Sequence, residues 1–219
     1  GSLDNAFIWY AGNLPNLLGY ADGTTNTDLE ADDLGVEIYF TDVDNIEHDR
    51  ESTASGELKA IYYIVEYTGS GGGDYEFLVR GRSSVTISAG SYSGTMSTTG
   101  VSNIDDVIPF ITSVTNDTTS NNCHALGGYT RMTATNTCTY YRGSPTGSVT
   151  ARIECVEFVG SGWNVKHGRF ELSTAGDDAG SITFGTDADG EGTASAVDWD
   201  HAIIYHQYKG DGSTGNQAI

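Results

Sequence analysis

The sequence predicts an all-β protein, built as two tandem β-sandwich-like repeat units of about 90 residues with an extra N-terminal strand. Three observations carry that expectation. The 219 residues include 29 glycines but only 3 prolines, with Ser and Thr abundant, which is the vocabulary of short strands and turns. Apolar and polar residues alternate in short runs, and no segment sustains a helical period. An unusual phrase is also written twice: Ile64-Val65-Glu66-Tyr67 returns 91 positions later as Cys155-Val156-Glu157-Phe158.

The match extends in both directions. Leu34-Gly35 corresponds to Leu126-Gly127, Arg50 to Arg142, and Gly56 to Gly147. Downstream, Arg80-Gly81-Arg82 corresponds to His167-Gly168-Arg169, and Val107 to Ile111 lies over Ala202 to His206. Small drifts in the spacing mark loop insertions and deletions. The first unit therefore fills 34–122 and the second 126–219. Leu3-Asp4 followed by Ala6-Phe7-Ile8-Trp9-Tyr10 resembles Val197-Asp198 followed by Ala202-Ile203-Ile204-Tyr205. Residues 1–33 are thus a leading strand and an acidic loop, packing on the first unit. A single larger sandwich with internal pseudo-symmetry is the alternative.

Strands are expected at 6–12, 35–43, 58–68, 75–88 and 107–115, then at 129–140, 148–159, 163–173, 180–185 and 200–209. Turn-rich stretches such as 70–74 and 186–192 separate them. Along 148–155, Val149, Ala151, Ile153 and Cys155 share one face, with Arg152 and Glu154 on the other. The alternation slips at Val156, and again at the matching Val65, which predicts a β-bulge or a strand buried on both faces at that point. Glu66 and Glu157 are then expected to point outward or to support the bulge.

Composition narrows the function. With 30 Asp plus Glu against 10 Lys plus Arg, the formal net charge is −20. Such a chain repels phosphate backbones, so nucleic acid is not an expected partner. No apolar run is long enough to span a membrane, and no basic-then-apolar leader is present. Three cysteines make no disulfide framework, and their spacing matches no zinc pattern. Cys155 corresponds to Ile64 and is expected in the core. The spacing leaves open whether Cys123 and Cys138 pair.

A search for chemistry finds no catalytic constellation. His48, His124, His167, His201 and His206 stand in no motif that activates a nucleophile, so no catalytic residue is assigned. The glycines at 69–73 precede a strand and not a helix, so they form a hairpin loop rather than a phosphate cradle. Asp187, Asp189 and Glu191 alternate like the start of a calcium loop, with Gly190 for the turn, but lack the closing bidentate Glu. They are the candidate Ca2+ ligands; the acidic stretch 21–33 is a second such loop. A solvated acidic turn is the plain alternative for both. No other cofactor is expected.

YEFLVRGRSSVTIS, SVTARIECVEFVGSGWNVKHGRFELS and VDWDHAIIYHQYK resemble the β-rich structural proteins of tailed bacteriophages. The resemblance lies in a strand ending in VEF or VEY, the strand that follows it, and Ser/Thr/Gly-rich links. It implies a non-enzymatic virion protein, either a capsid decoration or a tail or fibre component. Such proteins partner with themselves, as trimers or other symmetric oligomers, and with other virion proteins. A terminal strand, 6–12 or 200–209, is then expected at or beside the subunit contact. Two alternatives stand beside this reading. One is a carbohydrate- or receptor-binding module with Trp163 and Trp199 as stacking platforms. The other is an acidic surface-layer or filament subunit.

Overall fold

The computed structural model describes residues 2–10, 36–50, 61–116, 127–168 and 199–207. Among these the fold is all-β, with ten strands in antiparallel sheets and no α-helix. The strands are β1 (Ala6–Tyr10), β2 (Val36–Phe40), β3 (Ile46–Arg50), β4 (Tyr62–Glu66), β5 (Leu78–Ile87), β6 (Ser93–Ser97), β7 (Val107–Asn116), β8 (Gly128–Ala134), β9 (Thr137–Arg142) and β10 (Val149–Glu157). Short 3-10 turns at Leu3–Asn5, Ile104–Asp106 and Trp199–His201 complete the regular structure.

The central sheet has the order β5-β10-β7. One face packs on the sheet β6-β9-β8. The core between them is made by alternate residues, which is why the strands alternate in sequence. Val85 and Ile87 of β5, Val114 of β7 and Val149, Ala151, Ile153 and Cys155 of β10 meet Met96, Met132, Cys138 and Tyr140. The other face is covered by the pairs β1-β4 and β2-β3. There Phe7 stacks on Phe110 with ring centroids 4.6 Å apart, and Ile8 packs against Ile38. Because β5 pairs with β10, the central sheet crosses the boundary that the sequence draws between 34–122 and 126–219.

The repeated phrase has one structural meaning in both places. β1 runs antiparallel to β4 with Ala6 opposite Glu66, and Tyr67 N–H donates to Asn5 O (2.9 Å). β7 runs antiparallel to β10 with Val107 opposite Glu157, and Phe158 N–H donates to Asp106 O (2.9 Å). In each case a 3-10 turn precedes the first strand. Ser2 Oγ accepts from Asp4 N–H in one, and Asn103 Oδ1 from Asp105 N–H in the other (3.2 Å each). The third turn, Trp199–His201, leads into 202–207, which carry no ladder. The aromatic six positions after the start of each turn is Trp9, Phe110 or Tyr205. These rings neighbour one another, at 6.4 Å for Trp9–Phe110 and 4.8 Å for Phe110–Tyr205.

The slip expected at Val156 is present, whereas none is seen at Val65 against β1, the one described neighbour of β4. The register of β10 against β5 shifts between Cys155 and Val156. A second shift, against β7, lies between Arg152 and Ile153. β4 keeps an unbroken register against β1, and the matching stretch of β10, Ile153 to Glu157, does the same against β7. The bulge at Cys155/Val156 therefore belongs to the β5 side of the repeat.

Several expectations are corrected. Residues 129–140 are not one strand but the hairpin of β8 and β9, because the chain turns at Thr135-Asn136. β3 (IEHDR) and β6 (SGTMS) are strands too polar or too poor in large side chains to stand out in the sequence. Residues 202–207 of the expected strand 200–209 carry no ladder. Side chains hold them instead: Ile111 N–H donates to Tyr205 Oη (3.0 Å), and Gln207 Nε2 donates to Pro109 O (2.7 Å). Residues 163–168 of the expected strand 163–173 likewise lack a ladder. The expected strand 180–185 lies outside the described residues.

Candidate functional site

Four features stand out: two buried carboxylates, a buried arginine, an aromatic cluster at one end of the sheets, and the outer edge of β4.

Glu154 and Glu157 sit on the strand that carries the repeated phrase, and both are buried. Glu154 lies on the face of β10 opposite the sandwich core. Its Oε2 accepts from Ile8 N–H (2.8 Å), and its Oε1 from Arg82 Nε (2.6 Å). This bond ties the β1 layer to the central sheet. Burial pushes the Glu154 carboxyl above its ordinary range, and Arg82 offsets that only in part. Glu157 is the opposite case. Burial alone would raise it, but donors from Ser102 Oγ, Asn103 N–H, Ser102 N–H and Arg80 Nε outweigh burial and hold it low. Glu157 thus caps the turn before β7 from inside, so of the two expected roles, outward-pointing or bulge-supporting, the outward one is corrected. Its counterpart Glu66 is exposed. The donor sets of both acids come from the fold itself, which makes them structural anchors.

Arg142 is fully buried in the last position of β9. Its guanidinium donates to Ser91 O (2.8 Å), Ser88 O (2.9 Å) and Gly147 O (3.0 Å). Three carbonyls of two loops are thereby pinned to one strand end. On the outer layer, Arg152 pairs with Glu37 (2.7 Å) and lies 3.7 Å from the centre of the Tyr39 ring. With only 10 Lys plus Arg in the chain, several cations are thus committed to holding layers together. Sequence reasoning missed this use of Arg80, Arg82, Arg142 and Arg152. The signal available was the repeat itself, which carries Arg50 to Arg142 and Arg80-Gly81-Arg82 to His167-Gly168-Arg169.

Trp163 belongs to an aromatic cluster at the end of β10. Its ring meets Phe158 edge-on at 5.0 Å and Tyr75 at 5.9 Å. Trp163 is 37 % exposed and Tyr75 is 64 % exposed. Beside them, Ser161 Oγ donates to Asp74 Oδ1 (2.8 Å). Trp199, the other expected platform, opens the third 3-10 turn.

The outer edge of β4 is the remaining feature. β4 pairs with β1 on one side and with no described strand on the other. Tyr63 and Ile64, which point to opposite faces, are 57 % and 52 % exposed.

The expected calcium ligands Asp187, Asp189 and Glu191, and the acidic stretch 21–33, lie outside the described residues. Among the described residues no group of three acidic, His or Cys side chains is placed to hold a metal. Cys155 is buried in the core as expected. Cys138 is also a free, buried thiol, and Cys123 lies outside the described residues. A hydrogen bond with Cys138, followed by burial, pushes the Cys155 thiol far up, which keeps it inert.

No family model, no curated protein and no solved structure matches this chain.

Proposed function

We propose that this chain is a non-enzymatic structural protein that acts through self-assembly. It is of the kind that tailed bacteriophages place on their capsids or build into tails and fibres. The observation that carries the reading is the repeated register: β1 with β4, and β7 with β10, are the same pairing made twice. Duplicated β units serve as spacers and binding platforms, because their loops vary without disturbing a core. The charged side chains that are buried also support it, since each described one is tied into the fold. In this reading the protein resides in the virion, its partners are its own copies and other virion proteins, and a trimer is the expected assembly. Mass spectrometry of purified particles tests the reading. The protein is expected at stoichiometric copy number in particles. Its exclusion from particles, with the chain recovered only in the soluble fraction of infected cells, contradicts it.

A second reading, a carbohydrate-binding module, is favoured by the exposed Tyr75–Trp163 pair beside Asp74. A glycan array tests it. Binding that is lost in Trp163→Ala while the fold is retained supports this reading, and no binding to any glycan removes it.

A further inference from the structure

We propose that the outer edge of β4 accepts residues 163–168 of a second copy of this chain as an added strand. The proposal rests on the self-assembly reading and names the two surfaces that make the contact.

The argument comes from the repeat. β4 and β10 are equivalent strands: each pairs in the same register with the strand that follows a 3-10 turn. β10 has a neighbour on its other side, β5, with Leu78 opposite Glu157, Val79 opposite Val156 and Gly81 opposite Cys155. The corresponding side of β4 has no neighbour among the described residues. β5 follows β4 in the chain, yet it pairs with β10 and not with β4. The strand of the β5 type thus serves the next repeat, and among the described residues the first repeat has no such donor.

The chain carries a second copy of the β5 text. His167-Gly168 corresponds to Arg80-Gly81, and Val165 therefore to Leu78. In the structure 163–168 has no ladder, and Asn164, His167 and Gly168 are exposed. The segment is held by His167 Nε2, which lies 3.0 Å from Asp105 O, and by the Trp163 ring. Among the described residues, one chain therefore presents a donor without an acceptor and an acceptor without a donor. An exposed edge with apolar side chains on both faces is a template for strand addition. Transferring the β5–β10 register places Val165 opposite Glu66, Lys166 opposite Val65 and Gly168 opposite Ile64.

The charges agree with that placement. Arg80 reaches Glu157 in the pairing already formed. Its counterpart His167 arrives near Glu66, and Lys166 brings a cation to a chain of net charge −20. The contact joins two different surfaces, so it is heterologous. It closes a ring if the rotation between copies permits, and otherwise extends as a filament.

Cysteine cross-linking of the full chain tests the inference. Glu66→Cys and Val165→Cys are made as separate variants, because directly opposed residues in a ladder lie within disulfide reach. The variants are oxidised singly and as an equimolar mixture, with the wild type alongside to report on the native thiols. A cross-linked dimer only in the mixture is the expected result. Glu66→Cys cross-linking to itself would mean that two β4 edges pair with each other, and would overturn the proposal. Oligomers by light scattering without a cross-link in the mixture would overturn it while leaving the self-assembly reading intact. A monomer at every concentration would overturn both. Ile64→Lys is the supporting variant: it changes an exposed side chain, so native circular dichroism with a mass shifted to the monomer is expected. An unchanged oligomer would count against β4 as the acceptor.

Discussion

Single residues carry charges and hydroxyls into places where water is absent, and each can be tested by itself. The Tyr140 hydroxyl is buried in the sandwich core without a hydrogen-bond partner among the described residues. Removing an unsatisfied buried hydroxyl relieves its desolvation cost, so Tyr140→Phe should be neutral or stabilising by up to about 1 kcal/mol in chemical denaturation. A clear loss of stability would mean that the hydroxyl has a partner. Glu157 behaves oppositely. Its donors hold it below the ordinary value of 4.5, so the folded state binds its proton less readily than the unfolded chain. The stability it supplies is fully present above 4.5 and is lost as pH falls through the lowered folded value. Glu157→Gln should therefore cost about 1.5–3 kcal/mol at neutral pH, the range for hydrogen bonds to a charged group. The gap between variant and wild type should narrow in acid. A gap that stays constant with pH would show that the charge of Glu157 contributes nothing.

At the scale of elements, the tightest constraint lies where β10 ends. Gly160 N–H donates to Glu76 O (2.9 Å), and a Cβ at Gly160 would run into the backbone of Asp74 and lie 2.6 Å from Glu76 N. Backbone cannot move aside as a flexible side chain can. Gly160→Ala should lower stability by about 1–3 kcal/mol, the range for overpacking, and loosen the Trp163 cluster beside it. Unchanged thermal unfolding and unchanged tryptophan fluorescence would contradict this. The same elements show what was legible in the sequence. β10 was visible with its face and its bulge, because Val149, Ala151, Ile153 and Cys155 alternate strictly and Val156 breaks the alternation. β6 was not, because SGTMS buries only Met96 deeply and relies on pairing with β9. The β8–β9 hairpin read as one strand because its turn at Thr135-Asn136 is flanked by β-favouring threonines. The 202–207 segment kept the wording of a strand yet is held by Tyr205 and Gln207 side chains, which no periodicity reveals. Of the candidate site, the sequence named Trp163, but not the open edge of β4. Recognising an unpaired edge requires knowing which strand lies beside which.

For the molecule as a whole, the proposed function links the repeat to assembly. Two equivalent strand pairs, and a third turn with its aromatic, stand side by side in one chain, and among the described residues the outer edge of β4 is left without a strand. Its net charge of −20 opposes association, and that repulsion is screened by salt. Self-association should therefore strengthen as ionic strength rises, unlike an interface held mainly by surface ion pairs. The central claim, that this chain works by assembling with itself, is tested most directly by multi-angle light scattering of the full chain across concentration. The account predicts a discrete multiple of 23.2 kDa, or a mass that grows with concentration. A mass fixed at 23.2 kDa at high concentration and high salt would contradict it.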